Sequence, residues 1–277
     1  MTQSVAKRVI RVGHSPDPDD AFMFYGLASG RVPTGDYTIE QVLLDIESLN
    51  RLALQGEIEV TAVSIHAYAH LADRYLLLPC GASMGDGYGP IVIAGRPMDL
   101  DELKTKTIAV PGRLTSAALA LRLALGEVAT EVLPFDAILE AVARGEKDAG
   151  LLIHEGQLTY RDEGLEKCLD LGEWWLLETG LPLPLGVNTV RRDIGDDAVR
   201  TVSRVLRESI DAALDHRNEA LDYALGFGRG MDAERGDRFV GMYVNELTLD
   251  YGDEGRQAVR ELLSRAHGDD LRVEWVE

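Results

Sequence analysis

The chain has 277 residues, of which 45% are hydrophobic and 27% charged, and its formal net charge is −19. That length supports one large unit or two smaller ones with a sizeable core, two lobes being the better starting reading, and no apolar run is long enough to span a bilayer. An envelope so acidic repels nucleic-acid phosphates and anionic lipid heads, which speaks against nucleic acid and membranes as partners; an anionic small substrate would need a local pocket of backbone amides or basic groups.

Only Cys80 and Cys168 are present. Neither has a CxxC neighbour or a histidine at metal-ligand spacing, so two reduced structural thiols are expected. Residues 1–12 carry basic side chains but lack the apolar core and small-residue cleavage site of a secretory signal, which places the chain in the cytoplasm.

In chain order, Val9–Val12 reads as a short strand broken by Gly13. A stiff loop follows, His14 to Asp20, with prolines at 16 and 18, and then a helix from about Ala21 to Ser29 with Asp19 or Asp20 as its cap and Gly30 beyond its end. Asp17, Asp19 and Asp20 lack the ligand spacing and glycine of a calcium loop, so solvent-facing charge and capping are expected there, not a metal. Tyr37–Leu44 reads as a second strand, and Asp45 caps a helix that stops at Gly56. Glu57–Ser64 is a third strand ending on a hydroxyl, followed by a helical Ile65–Leu71. His66 and His70 are four residues apart, but without an intervening HExxH glutamate they read as a packed or surface pair.

Gly81–Gly89 is glycine-rich and reads as a turn, because it precedes a strand and lacks the Lys-Ser/Thr ending of a phosphate loop. Pro90–Ala94 crosses between lobes and Thr107–Val110 opens the second. Thr115-Ser116, after a glycine turn, starts the helix Ala117–Leu125, where an ordinary N-cap and a carboxylate cradle are both open readings. A helix over about Asp136–Arg144, then Gly145-Glu146, then an apolar run Asp148–Ile153 repeats the helix, Gly-Glu, strand order seen about ninety residues earlier. The repeat makes Ser64 and His154, each at a strand's carboxyl end, candidates to face each other across a cleft. His154 is the candidate general base, since imidazole titrates near neutrality, and no GxSxG elbow surrounds any serine. Trp174 and Trp175 either line the cleft or seal the hinge; Leu181–Gly186 is the return crossing; from about Asp193 the chain is mostly helical. Two α/β lobes around a cleft result, the first from residues 1–92 plus 187–277 and the second from 93–186.

Ser15-Pro16-x-Pro18-x-Asp20-x-Phe22, Val63-Ser64, Gly85-x-Gly87-x-Gly89-Pro90, Thr115-Ser116, Ile153-His154-Glu155 and the runs 170–175 and 180–186 together resemble the 1,4-dihydroxy-6-naphthoate synthase family of the futalosine route to menaquinone. The resemblance covers residues 9 to about 193. It implies a two-lobed α/β fold of the periplasmic-binding-protein type II kind with the active site in the inter-lobe cleft. It also implies a cofactor-free, metal-free carbon–carbon lyase that converts cyclic dehypoxanthine futalosine to the naphthoate. By resemblance His154 is the base, and Ala62, Val63, Ser64, Thr115 and Ser116 bind the substrate, with Ser15 and Gly87 from the two loop motifs beside them. The expected partner is a small carboxylate; a homodimer is left open. That family usually reads Ser-Pro-Cys-Pro-Asn-Asp-Thr-Phe in the first loop, where Asp17, Asp19 and Ala21 stand here, adding two carboxylates. A non-catalytic solute-binding protein needs the cleft but no base. The sister chorismate dehydratase usually begins with Ser-Tyr-Leu-Asn, which is absent.

Overall fold

In the computed structural model, which describes residues 7–228 and 231–277, eleven strands are distributed over two sheets. The strands are β1 (Arg8–His14), β2 (Tyr37–Leu43), β3 (Val60–Ser64), β4 (Tyr75–Leu77), β5 (Ser83–Gly85), β6 (Ile91–Ala94), β7 (Thr107–Val110), β8 (Ala129–Val132), β9 (Ala149–Leu152), β10 (Glu166–Asp170) and β11 (Leu183–Arg191). The first sheet has the order β2-β1-β3-β11-β4, with β5 also paired to β11; the second has the order β10-β6-β9-β7-β8. In the first, β1 runs parallel to β2 and β3, and β11 runs antiparallel to β3. In the second, β9 is parallel to β7 and antiparallel to β6. Because β6 lies wholly in the second sheet and β11 wholly in the first, the two crossings fall at residues 86–90 and 180–182.

The capping signals act where the sequence puts them. Asp45 accepts the Ser48 amide at 3.0 Å to start the helix Ile46–Gln55, which ends on left-handed Gly56 at φ 73°. Thr115 likewise accepts the Ala118 amide at 3.2 Å at the head of Ser116–Leu125. The first helix departs from expectation. It spans Pro18–Met23 with Asp17 as an N-cap that makes no side-chain cap bond, because a proline in the first turn loses no hydrogen bond and its fixed φ suits the helix. A separate short helix, Tyr25–Ala28, follows, and Ile65–Tyr68 is shorter than the expected 65–71.

The glycine-rich turn seats the second lobe against the first. A Cβ at Gly172 would lie 2.0 Å from the Tyr88 carbonyl, so the helix Leu171–Thr179 can meet this loop only through glycine. Trp175, at the same place, is fully buried and its indole N–H donates to the Pro182 carbonyl at 3.1 Å, so this tryptophan seals the hinge and does not line the cleft. The apolar cluster around it includes Val63 and Leu77 from one sheet and Val92 and Ile108 from the other, a core continuous between the lobes. Both cysteines are free thiols. Among the described residues, no helix is long and apolar enough to cross a membrane.

Candidate active site

Strand ends and helix starts from both lobes meet at a cleft with about 600 Å³ of atom-free space, part of it open to solvent. Ser15, Ser64, Thr115, Ser116 and His154 all line it. Ser64 closes β3 and is clamped from behind by Asn50, a fully buried residue of the Ile46–Gln55 helix. Asn50 Oδ1 accepts the Ser64 amide at 2.9 Å, and its Nδ2 donates to Ser64 Oγ at 3.2 Å. The Ser64 hydroxyl proton is thus left to point elsewhere.

Across the cleft, both hydroxyls at the helix start are already engaged. Thr115 Oγ1 donates to the Gly112 carbonyl at 2.9 Å besides serving as the cap, and Ser116 Oγ donates to the Leu185 carbonyl at 2.5 Å. What remains for an anion are the first-turn amides of Ser116 and Ala117, which have no partner within the helix, and the positive end of the helix dipole.

His154 follows β9 by two residues. Its Nδ1 lies 3.2 Å from Asp17 Oδ2, and the Phe135 ring stands edge-on to it at a centroid distance of 4.4 Å. Nδ1 thus faces a carboxylate at ion-pair distance, and Nε2 is buried without a hydrogen-bond partner.

The acidic loop is the largest correction to the sequence reading. Asp17, Asp19 and Asp20 are buried (4, 9 and 8% exposed) and line the cleft instead of facing solvent. Asp20 Oδ2 accepts the Ser15 amide at 2.8 Å. Burial, reinforced by the charge of Asp17, raises both Asp19 and Asp20 well above the usual carboxylate range and so favours their neutral forms. The two departures from the family's usual loop thus face the cleft, Asp17 beside His154 and Asp19 buried next to it.

Three other expected positions do not reach the cleft. Val63 points into the hydrophobic core, as strand alternation requires for the neighbour of Ser64. Ala62 faces β11 opposite Asn188 and is buried there. Gly87 sits in the turn at φ +74° against Leu176. Conversely, Tyr243, from the helix Ala233–Tyr243, lines the cleft without having been singled out. Its hydroxyl donates to Gln157 Oε1 at 2.9 Å, and burial pushes its pKa up.

Among the described residues, two groups bring three potential metal-binding atoms within 4.8 Å of one another: Asp17, Asp19 and Asp20 here, and His66, His70 and His267 elsewhere. In the acidic group Asp17 Oδ2 faces His154 and Asp20 Oδ2 accepts the Ser15 amide, while Asp17 Oδ1 is buried without a hydrogen-bond partner.

Residues 10–268 match the family described as menaquinone biosynthesis. The chain belongs to the menaquinone-biosynthesis family. Two members, each named 1,4-dihydroxy-6-naphthoate synthase, are similar over most of their length: one from Thermus thermophilus, 44% identical over 95% of both chains, and one from Streptomyces coelicolor, 39% identical over 95% of this chain and 94% of its own. A crystal structure of a protein from Archaeoglobus fulgidus superposes with a TM-score of 0.89 at 49% identity, covering 94% of this chain and 98% of the other. A Candida albicans protein described as having the generic periplasmic binding protein fold superposes with a TM-score of 0.69 at 14% identity, covering 93% and 90%. In this menaquinone-biosynthesis protein, then, the two-lobed α/β fold of periplasmic binding proteins carries a histidine–aspartate pair in its cleft.

Proposed function

We propose that the protein is a carbon–carbon lyase that forms 1,4-dihydroxy-6-naphthoate from cyclic dehypoxanthine futalosine, with His154 as general base. The observation that carries this reading is the 3.2 Å pairing of His154 Nδ1 with Asp17 Oδ2 in a cleft also lined by Ser64 and by the head of the Ser116–Leu125 helix. Asp17 fixes the tautomer with Nε2 unprotonated, and Nε2 takes the proton of a substrate hydroxyl. The resulting oxyanion collapses to a carbonyl as the adjacent carbon–carbon bond opens; its electron pair passes to the carbon left behind and expels the oxygen substituent on the neighbouring carbon, which leaves with the proton held by His154 as the new ring aromatises. The imidazolium formed at His154 is stabilised by Asp17. The substrate carboxylate lies against the amides of Ser116 and Ala117, the anion site that so acidic a chain requires.

The test is to incubate the purified protein with cyclic dehypoxanthine futalosine and follow the naphthoate by mass spectrometry, beside the Thermus thermophilus relative as positive control. Product from the wild type, with turnover lost and substrate binding kept in His154→Ala, is expected. Binding without product in the wild type, under conditions where the control turns over, would identify a solute-binding protein and overturn the reading.

A further inference from the structure

A second cluster lies behind the cleft wall. Ser64 opens the helix Ile65–Tyr68; His66 lies within it, 7% exposed, and His70 follows in the next turn. His267 closes the helix Gly252–His267, at the opposite end of the sequence. Packing of these segments brings the three rings together, with centroids 5.6 Å apart for His66 and His267, 5.4 Å for His70 and His267, and 6.2 Å for His66 and His70.

Three imidazoles so placed disfavour one another's protonation. Burial lowers His66 to about 4, with the neighbouring His267 adding to the effect, and burial followed by His70 and Arg122 lowers His267. Neutral rings have lone pairs to offer. His66 Nδ1 is buried without any hydrogen-bond partner, an unsatisfied ring nitrogen of the kind a metal ion takes up.

We propose that His66, His70 and His267 form a site for a borderline transition-metal dication of the zinc class, outside the substrate cleft. One nitrogen from each ring lies within 4.8 Å of the others. Bonds of 2.0–2.1 Å to a tetrahedral ion put ligand atoms about 3.3 Å apart, so the ring nitrogens must close by up to about 1.5 Å. His70 and His267 are exposed and free to rotate by that much. The neighbouring pocket, lined by His66, Arg113, Arg122 and Glu127, leaves a fourth coordination position accessible to water or a small anion. Imidazole ligands and no carboxylate in the set select zinc-type ions over magnesium or calcium. The His66 amide donates to Ser116 Oγ at 3.4 Å, so a bound ion ties the end of the helix Gly252–His267 to a segment that adjoins Ser64 and Ser116, both of which line the substrate cleft.

The test is calorimetric titration of Zn²⁺ alone into the full chain and into His70→Ala, His267→Ala, Asp19→Asn and Arg122→Gln variants, with thermal melts in parallel. Saturable binding of one ion per chain is expected, weakened more than about tenfold in each histidine variant, unchanged in Asp19→Asn and tightened in Arg122→Gln, where a nearby positive charge is removed. Zn²⁺ should raise the melting temperature of the wild type and leave that of His267→Ala unmoved. Co²⁺ in place of Zn²⁺ should give the visible absorption of a four-coordinate site in the wild type, Asp19→Asn and Arg122→Gln, and in neither histidine variant. Absence of saturable binding, or equal affinity in wild type and His267→Ala, overturns the proposal, and loss confined to Asp19→Asn would assign the ion to the acidic loop instead.

Discussion

A neutral imidazole donates from one nitrogen and accepts at the other, and at His154 the Asp17 carboxylate 3.2 Å from Nδ1 decides which does which. Asp17→Asn keeps the shape but removes the charge and lets the amide donate to Nδ1, which favours the wrong tautomer. Steady-state kinetics on that variant should show kcat lower by about 10²–10⁴-fold with KM within a few-fold of wild type; an unchanged kcat would mean that Asp17 does not position the base. Asp19 supports a different prediction. Its folded-state pKa is raised, so its contribution to stability is full in the ordinary aspartate range and is lost as pH rises through the folded value. Asp19→Asn keeps the neutral form without titrating. Its melting temperature should match wild type in acid and exceed it above neutrality, as a calorimetric pH series would reveal. Ser64, Ser116 and His154 were legible as cleft-lining residues because strand ends and helix heads leave local signatures. The pairing of residue 17 with residue 154 leaves none, and the acidic loop looked solvent-exposed because the burial of its carboxylates comes from the packing of distant segments, which composition does not record.

At the level of single elements, the Ile46–Gln55 helix does more than pack. Asn50 delivers both halves of its amide to Ser64. Asn50→Ala strands the buried Ser64 amide, a loss of roughly 1–3 kcal/mol, and releases the Ser64 side chain. The variant should melt lower and show a KM raised more than its kcat is reduced. A raised KM at unchanged stability would place the effect in the substrate contact alone. This helix could be read from Asp45 and Gly56, since a capping side chain and a left-handed glycine mark its two ends. The Pro18–Met23 helix was displaced by three residues, since prolines at 16 and 18 look like loop even though one of them starts a helix. Strand β8 escaped notice because all four of its residues are exposed and no buried face imposes an alternation. The three-residue β4 is too short to show one.

Across the whole molecule, 47 acidic against 28 basic residues leave a net repulsion that the folded state concentrates. Salt screens such repulsion over about 10 Å at 0.1 M. The melting temperature should therefore climb as sodium chloride is raised from about 0.01 M to about 1 M; a flat or falling curve would mean that the surface ion pairs, such as Arg11 with Glu59, outweigh the excess charge. The two-lobed plan was visible in the recurring helix, Gly-Glu, strand order, because each lobe repeats one local unit. The place of β11 between β3 and β4 was not, since nothing local records which distant strand a segment will join. That placement also sets an order of assembly during translation. The second sheet has all its strands once Asp170 has emerged from the ribosome, whereas the first lacks an interior strand until Arg191 follows. In that interval the newly made edge of β3 is unpaired, and the nascent chain is most open to joining a neighbour's strand.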